Sequence, residues 1–223
     1  GVFAVRLGLS AWAGVVAMAF VLLHPLAVES VAYATSRAEL LAAVGVLLAC
    51  IAATWRDSWR WIIVAVALAA AVLAKESALV ACGLIPLTLW HLHRPVRGSL
   101  LASAGIGLGV LWYVGGWMRL VDHELYARET LAVDWVLVQS TAVVRLVLMV
   151  IVPDWQTPDY DYDGVPLAWR AVSLAVVALA AIAAWHARAR AQWVTFSAGW
   201  ALIAVAPRFV IQTPRSYLNE HQF

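Results

Sequence analysis

The sequence predicts an all-α, polytopic bundle of transmembrane helices, and three observations carry that expectation. Hydrophobic residues make up 64% of the 223 residues and charged residues 13%, whereas a soluble domain is roughly 45–50% apolar and about 25% charged. The apolar residues fall into runs at roughly 8–23, 40–55, 61–74, 77–92, 99–118, 136–152, 167–186 and 193–211. These runs are rich in Ala, Val and Leu and apolar on every side, which suits helices solvated by lipid. Ten of the thirteen tryptophans (55, 59, 61, 90, 117, 135, 155, 169, 185 and 193) lie at or near run ends, where a bilayer interface places its aromatic belt. A chain of this size has too little interior to hide so much apolar surface from water.

Each run has a reason to begin or stop where it does. The first ends at His24-Pro25, because the residue before a proline disfavours helical geometry. The second follows Arg37 and closes on the arginine-bearing connection 54–60. The run 61–74 is the shortest and falls well under the ~20 residues a span usually needs. Its Lys75 end is therefore expected below the membrane surface, inside a cavity. The connections 54–60, 91–97 and 186–190 carry two arginines each, and the positive-inside rule places them in the cytoplasm with Arg6. The connections 24–39, 75–77, 119–135, 153–166 and 208–223 are then external. That assignment puts 12 of the 13 acidic residues outside and only Asp57 inside. If 136–152 crossed fully, the arginines of 186–190 would face outward. This run, with Arg145 in its middle, is expected to lie as an in-plane or re-entrant helix on the outer side. The expectation is about seven spanning helices with an acid-rich external face.

Two polar islands interrupt the apolar runs. The first is His24-Pro25-Leu26-Ala27-Val28-Glu29-Ser30-Val31, followed by Arg37; the second is Lys75-Glu76-Ser77, which holds the only lysine in the chain. Ionisable groups beside hydrocarbon are expensive and mark candidate functional sites. Cys50 and Cys82 sit inside apolar runs without His or Cys at ligand spacing, so they are expected as buried thiols. The stretch Asp154 to Gly164 carries carboxylates at alternate positions but lacks the closing Glu of an EF-hand loop; it reads as a solvated external loop. No Gly-rich phosphate loop, His/Cys metal cluster or nucleophile elbow is present. The net charge of +2 gives no support for a nucleic-acid partner.

His24-Pro25-x3-Glu29-x-Val31-x5-Arg37 at the outer end of a membrane helix resembles a signature of the membrane proteins with C-terminal tetratricopeptide repeats. That family includes protein O-mannosyltransferases and many bacterial relatives, within the C-type (GT-C) glycosyltransferase superfamily. Lys75-Glu76 after a short Ala/Leu-rich helix resembles its second signature, and Asn219-Glu220-His221 a third. The resemblance implies a GT-C type bundle that takes a mannose-like sugar from a polyprenyl-phosphate carrier. It also implies transfer to a protein or other acceptor hydroxyl at the periplasmic face of a bacterial plasma membrane. The family's key aspartate lies in an external loop after its first helix, and this chain reads as beginning after that loop. Residues 1–223 are accordingly expected to be a single transmembrane fragment, lacking that helix and loop and the downstream repeats, and inactive alone.

The physical reading of the residues gives each a role. A transferase of this kind must hold a phosphate anion at the membrane surface, and a cation in a partly dry site does so well. Lys75 suits the carrier phosphate, with Arg215 and His221 as auxiliaries and Glu220 supporting them. Glu29 is the candidate catalytic residue of this chain: it either positions an acceptor hydroxyl or pairs with Arg37 at the start of the next helix. His24 reads as a hydrogen-bonding corner, and Glu76 as a balance to the charge of Lys75. No metal or cofactor is assigned; the partners are the bilayer, the lipid-phosphate sugar donor and a protein acceptor. The rival readings are a transporter whose acids and Lys75 line a path, and a non-catalytic membrane scaffold.

Overall fold

The structure, a computed structural model, describes residues 1–24, 37–102, 105, 109, 112, 132–152 and 164–210. The fold is all-α: every regular element among the described residues is helical. The chain divides into two compact units, Gly1–Gly116 and Trp117–Phe223.

The first unit opens with α1 (Val2–Arg6) and α2 (Ala11–Leu23). Between them Gly8 takes φ +96°, a left-handed conformation that costs glycine nothing. The Ser10 hydroxyl accepts the Ala13 amide at 3.2 Å, capping one of the orphan N–H groups of α2. There follow α3 (Arg37–Ala53), α4 (Arg60–Ala74), a 3₁₀ turn (Glu76–Val80) and α5 (Ala81–His91). Residues 97–102, 105, 109 and 112 are helical again.

Small residues bring α3 and α4 together. Ala42, Gly45, Ala49, Ala52 and Ala53 of α3 are buried, as are Val64, Leu68, Ala71 and Val72 of α4. A methyl group built on Gly45 would lie 2.7 Å from the Ala71 Cβ and 2.9 Å from the Ala67 carbonyl oxygen. Only a hydrogen fits there. Where lipid rather than water is the solvent, hydrophobic burial gives helices little reason to associate, and such close backbone approach supplies the packing instead.

The hairpin and α5 run between two polar ends. At one end Lys75 Nζ donates to Glu39 Oε1, joining the end of α4 to the start of α3. At the other, the Trp55 carbonyl accepts from Arg60 at 2.6 Å and Arg94 at 3.3 Å. The three helices thus alternate in direction, as the arginine connections lead one to expect. α3 has 17 residues and α4 has 15, so they are about 25 and 22 Å long at 1.5 Å per residue.

The second unit holds α6 (Ala132–Ile151), α7 (Leu167–Ala187) and α8 (Gln192–Val210). α7 and α8 form a tight hairpin, fastened where the Thr195 hydroxyl donates to the Ala184 carbonyl at 2.9 Å. α6 and α7 do not. Arg170, near the start of α7, donates to Asp134, near the start of α6, at 2.8 Å. In an up-and-down pair those starts would stand a helix length apart, about 25 Å.

The run 136–152, expected as an in-plane or re-entrant helix, lies in one uninterrupted 20-residue helix with no Gly or Pro inside it. Among the described residues Val133–Ile151 and Leu167–Ala187 are long and apolar enough to cross a membrane. Ala11–Leu23 and Arg60–Ala74 are apolar but shorter. Only 6% and 17% of the two long apolar windows are buried, so neither is the covered core helix of a soluble domain.

Candidate functional site

The site grows from the junction of α4 with the 3₁₀ turn. α4 is built from Ala, Val and Leu, and it ends where Lys75 turns extended (φ −159°, ψ 132°) while its amide still closes on the Ala71 carbonyl at 2.9 Å. The Lys75 carbonyl then accepts the Ala78 amide at 3.0 Å and starts the 3₁₀ turn. Both backbone groups are satisfied, so the residue is fixed at a corner and its side chain is free to serve another purpose.

That side chain meets Glu39, in the first turn of α3. Glu39 is the residue that sequence reasoning passed over. A carboxylate in a first helical turn is ordinary, because it complements the helix dipole, and Glu39 stands next to the apolar run rather than in a polar island. Hairpin geometry was the available signal: the end of one antiparallel helix faces the start of the other, and the lone lysine marks that end. Side-chain exposures are 32% for Lys75 and 55% for Glu39. A pair this open is worth about 0.2–1 kcal/mol. It adds little to stability and leaves the ammonium available for exchange onto another anion.

Of the remaining expected residues, Glu76 opens the 3₁₀ turn, exposed, and forms no ion pair with Lys75. Arg37 is the exposed first residue of α3, two positions before Glu39. His24 ends α2 with extended backbone, the geometry favoured before proline, and its ring lies 5.1 Å from that of Phe20. Glu29, Arg215, Glu220 and His221 fall outside the described residues, as does the acidic stretch 154–163. The structure therefore brings Lys75 together with Glu39 and places Glu76 and Arg37 at the same end of the hairpin. Cys50 is buried and Cys82 half-buried, and neither is in a disulfide.

A second charged pair lies in the other unit. Arg170 is buried, and it spends Nε on the Val165 carbonyl at 3.0 Å and Nη1 on Asp134. Asp134, Thr141 and Arg145 recur at intervals of seven and four residues, which sets them on one stripe of α6. No group of three His, Cys, Asp or Glu among the described residues is placed to hold a metal ion. No family model, curated protein or solved structure matches this chain.

Proposed function

We propose that the chain is the membrane part of a GT-C type glycosyltransferase, which passes a mannose-like sugar from a polyprenyl-phosphate carrier to a protein or other acceptor hydroxyl. The observation that carries this reading is the placement of Lys75. It is the only lysine in the chain, fixed at the corner of a short helix and held by one exposed carboxylate. α4 is several ångströms shorter than a hydrocarbon core of about 30 Å, so its Lys75 end sits below the headgroups, where a carrier phosphate would enter. At 32% exposure the ammonium can exchange its carboxylate for the carrier phosphate, a charge-assisted contact. Donor binding moves the ammonium from Glu39 to the phosphate; Glu29, Arg215 and His221 keep the roles that the sequence resemblance gives them. The same reading keeps about seven spans, with α6 in the plane of the outer surface. The start-to-start contact of α6 with α7 supports a helix that does not alternate with its successor.

Lys75→Ala is expected to weaken use of a lipid-phosphate sugar donor by roughly 10- to 100-fold, since a charge-assisted contact is worth about 1.5–3 kcal/mol. Lys75→Arg should recover part of the loss, because a guanidinium fork keeps the charge but not the compact geometry. Transfer of radiolabelled sugar in membranes containing the full-length protein reads both effects. Unchanged donor dependence in Lys75→Ala reduces the residue to an interfacial anchor. The orientation has its own check, in a background lacking Cys50 and Cys82. A cysteine at Ser58 should resist an impermeant thiol reagent in intact cells, while one at Glu76 should react; the opposite pattern inverts the topology.

One observation favours the transporter reading. Asp134, Arg170 and Arg145 place charge within helices of the second unit, as a permeation path would. Solute uptake that survives Lys75→Ala and fails in Asp134→Asn selects that reading instead.

A further inference from the structure

The far end of the first unit carries a second basic site. Trp55 follows α3, and its carbonyl accepts two guanidinium groups, from Arg60 at 2.6 Å and from Arg94 at 3.3 Å. The two arginines come from different connections, 34 positions apart (94 minus 60), and like charges do not converge without an anion to reward them. The carbonyl supplies part of that reward, as the negative end of the α3 dipole. It does not supply all of it. Arg60 Nε is buried and has no hydrogen-bond partner among the described residues, and the same holds for the Trp55 indole nitrogen. The nearest acid in sequence, Asp57, is exposed and forms no ion pair among the described residues.

The surroundings say what kind of anion fits. The Arg60 guanidinium lies 5.2 Å from the centre of the Trp61 ring, and Trp55 and Trp59 stack edge to face at 5.6 Å. Three indoles beside two guanidinium groups describe an interfacial surface, apolar on one side and cationic on the other. Apolar side chains of the adjoining helix, Ile62 and Val66, project outward at 66% and 63% exposure and offer a wall for acyl chains. A small soluble anion would use the guanidinium groups and leave that wall bare. We propose that Arg60 and Arg94, with the Trp55, Trp59 and Trp61 rings, bind the phosphodiester headgroup of an anionic phospholipid. The site is separate from Lys75 and stands whether or not the donor reading does.

Native mass spectrometry of the full-length protein, in detergent doped with equal phosphatidylglycerol and phosphatidylcholine, tests this directly. Phosphatidylglycerol should be retained preferentially, and Arg60→Gln/Arg94→Gln should lower its occupancy about 10- to 30-fold, at roughly a kilocalorie per basic residue. Arg188→Gln/Arg190→Gln, in the connection between α7 and α8, should leave retention unchanged. Should the Gln pair fail to fold, Arg60→Lys/Arg94→Lys keeps the charge and is expected to lose only about threefold. In the wild type, raising NaCl from 50 to 500 mM should release the lipid, because salt screens such contacts. Equal retention of phosphatidylcholine, unchanged retention in a folded Gln pair, or displacement by millimolar inorganic phosphate overturns the proposal.

Discussion

Gly45→Ala is expected to destabilise the chain by about 1–3 kcal/mol, and Gly45→Leu to prevent α3 from closing on α4. Two effects oppose one another at this position. Alanine is the better helix former by about 1 kcal/mol, which alone would make the change favourable. Against it, the new methyl would meet the Ala67 carbonyl oxygen at 2.9 Å and the Ala71 Cα at 3.2 Å. Those are backbone atoms, with no flexible end to swing aside, so the whole of α4 must withdraw. Withdrawal strips contacts from the buried Ala49, Ala53, Val64 and Leu68, and each lost contact adds to the cost. Cys50, fully buried in α3, supplies the readout. In a Cys82→Ala background its thiol should react faster in Gly45→Ala than in the parent, and the thermal midpoint should fall. Equal reactivity at equal midpoints would show that α4 yields without loss.

Most of the helical architecture was legible from the apolar runs. The runs 61–74 and 167–186 match α4 (Arg60–Ala74) and α7 (Leu167–Ala187) to within one residue at either end. That agreement has a cause: Pro166 and Lys75 are breaks that composition makes visible. The run 77–92 was less transparent, because Glu76–Val80 is a 3₁₀ turn before α5 begins, and apolar content does not distinguish the two hydrogen-bond patterns. Partners across the chain were harder still. Lys75 stood out by being alone, whereas Glu39 lies 36 positions away and looked like any acid in a first turn. The run 136–152 was legible as a helix despite Arg145 in its middle, because a single arginine does not interrupt backbone hydrogen bonding, and α6 runs through it. The sense in which α6 meets α7 left no trace in local pattern at all.

The contact between α6 and α7 should be the most sensitive polar feature of the second unit. Arg170→Gln is expected to cost about 2–4 kcal/mol, because it removes the guanidinium that donates to the Asp134 carboxylate and to the Val165 carbonyl. Removing one member of a fully buried pair costs about 3–5 kcal/mol, and the 36% exposure of the Asp134 side chain places this pair somewhat lower. Asp134→Asn should cost a similar amount, since the Arg170 side chain is only 11% exposed and its charge would lose that carboxylate. Each single change already breaks the contact between them, so Asp134→Asn/Arg170→Gln should be milder than the two single changes summed. Their coupling should fall in the 0.5–3 kcal/mol range of directly contacting residues. Arg170→Lys separates charge from geometry: an ammonium can still reach Asp134, but it gives up the Nε bond to the Val165 carbonyl, a loss of about 1 kcal/mol. Denaturation midpoints of the four variants in detergent measure the cycle. Strict additivity would mean that the two side chains stabilise their helices separately, and that the α6 and α7 starts are held together by apolar packing alone.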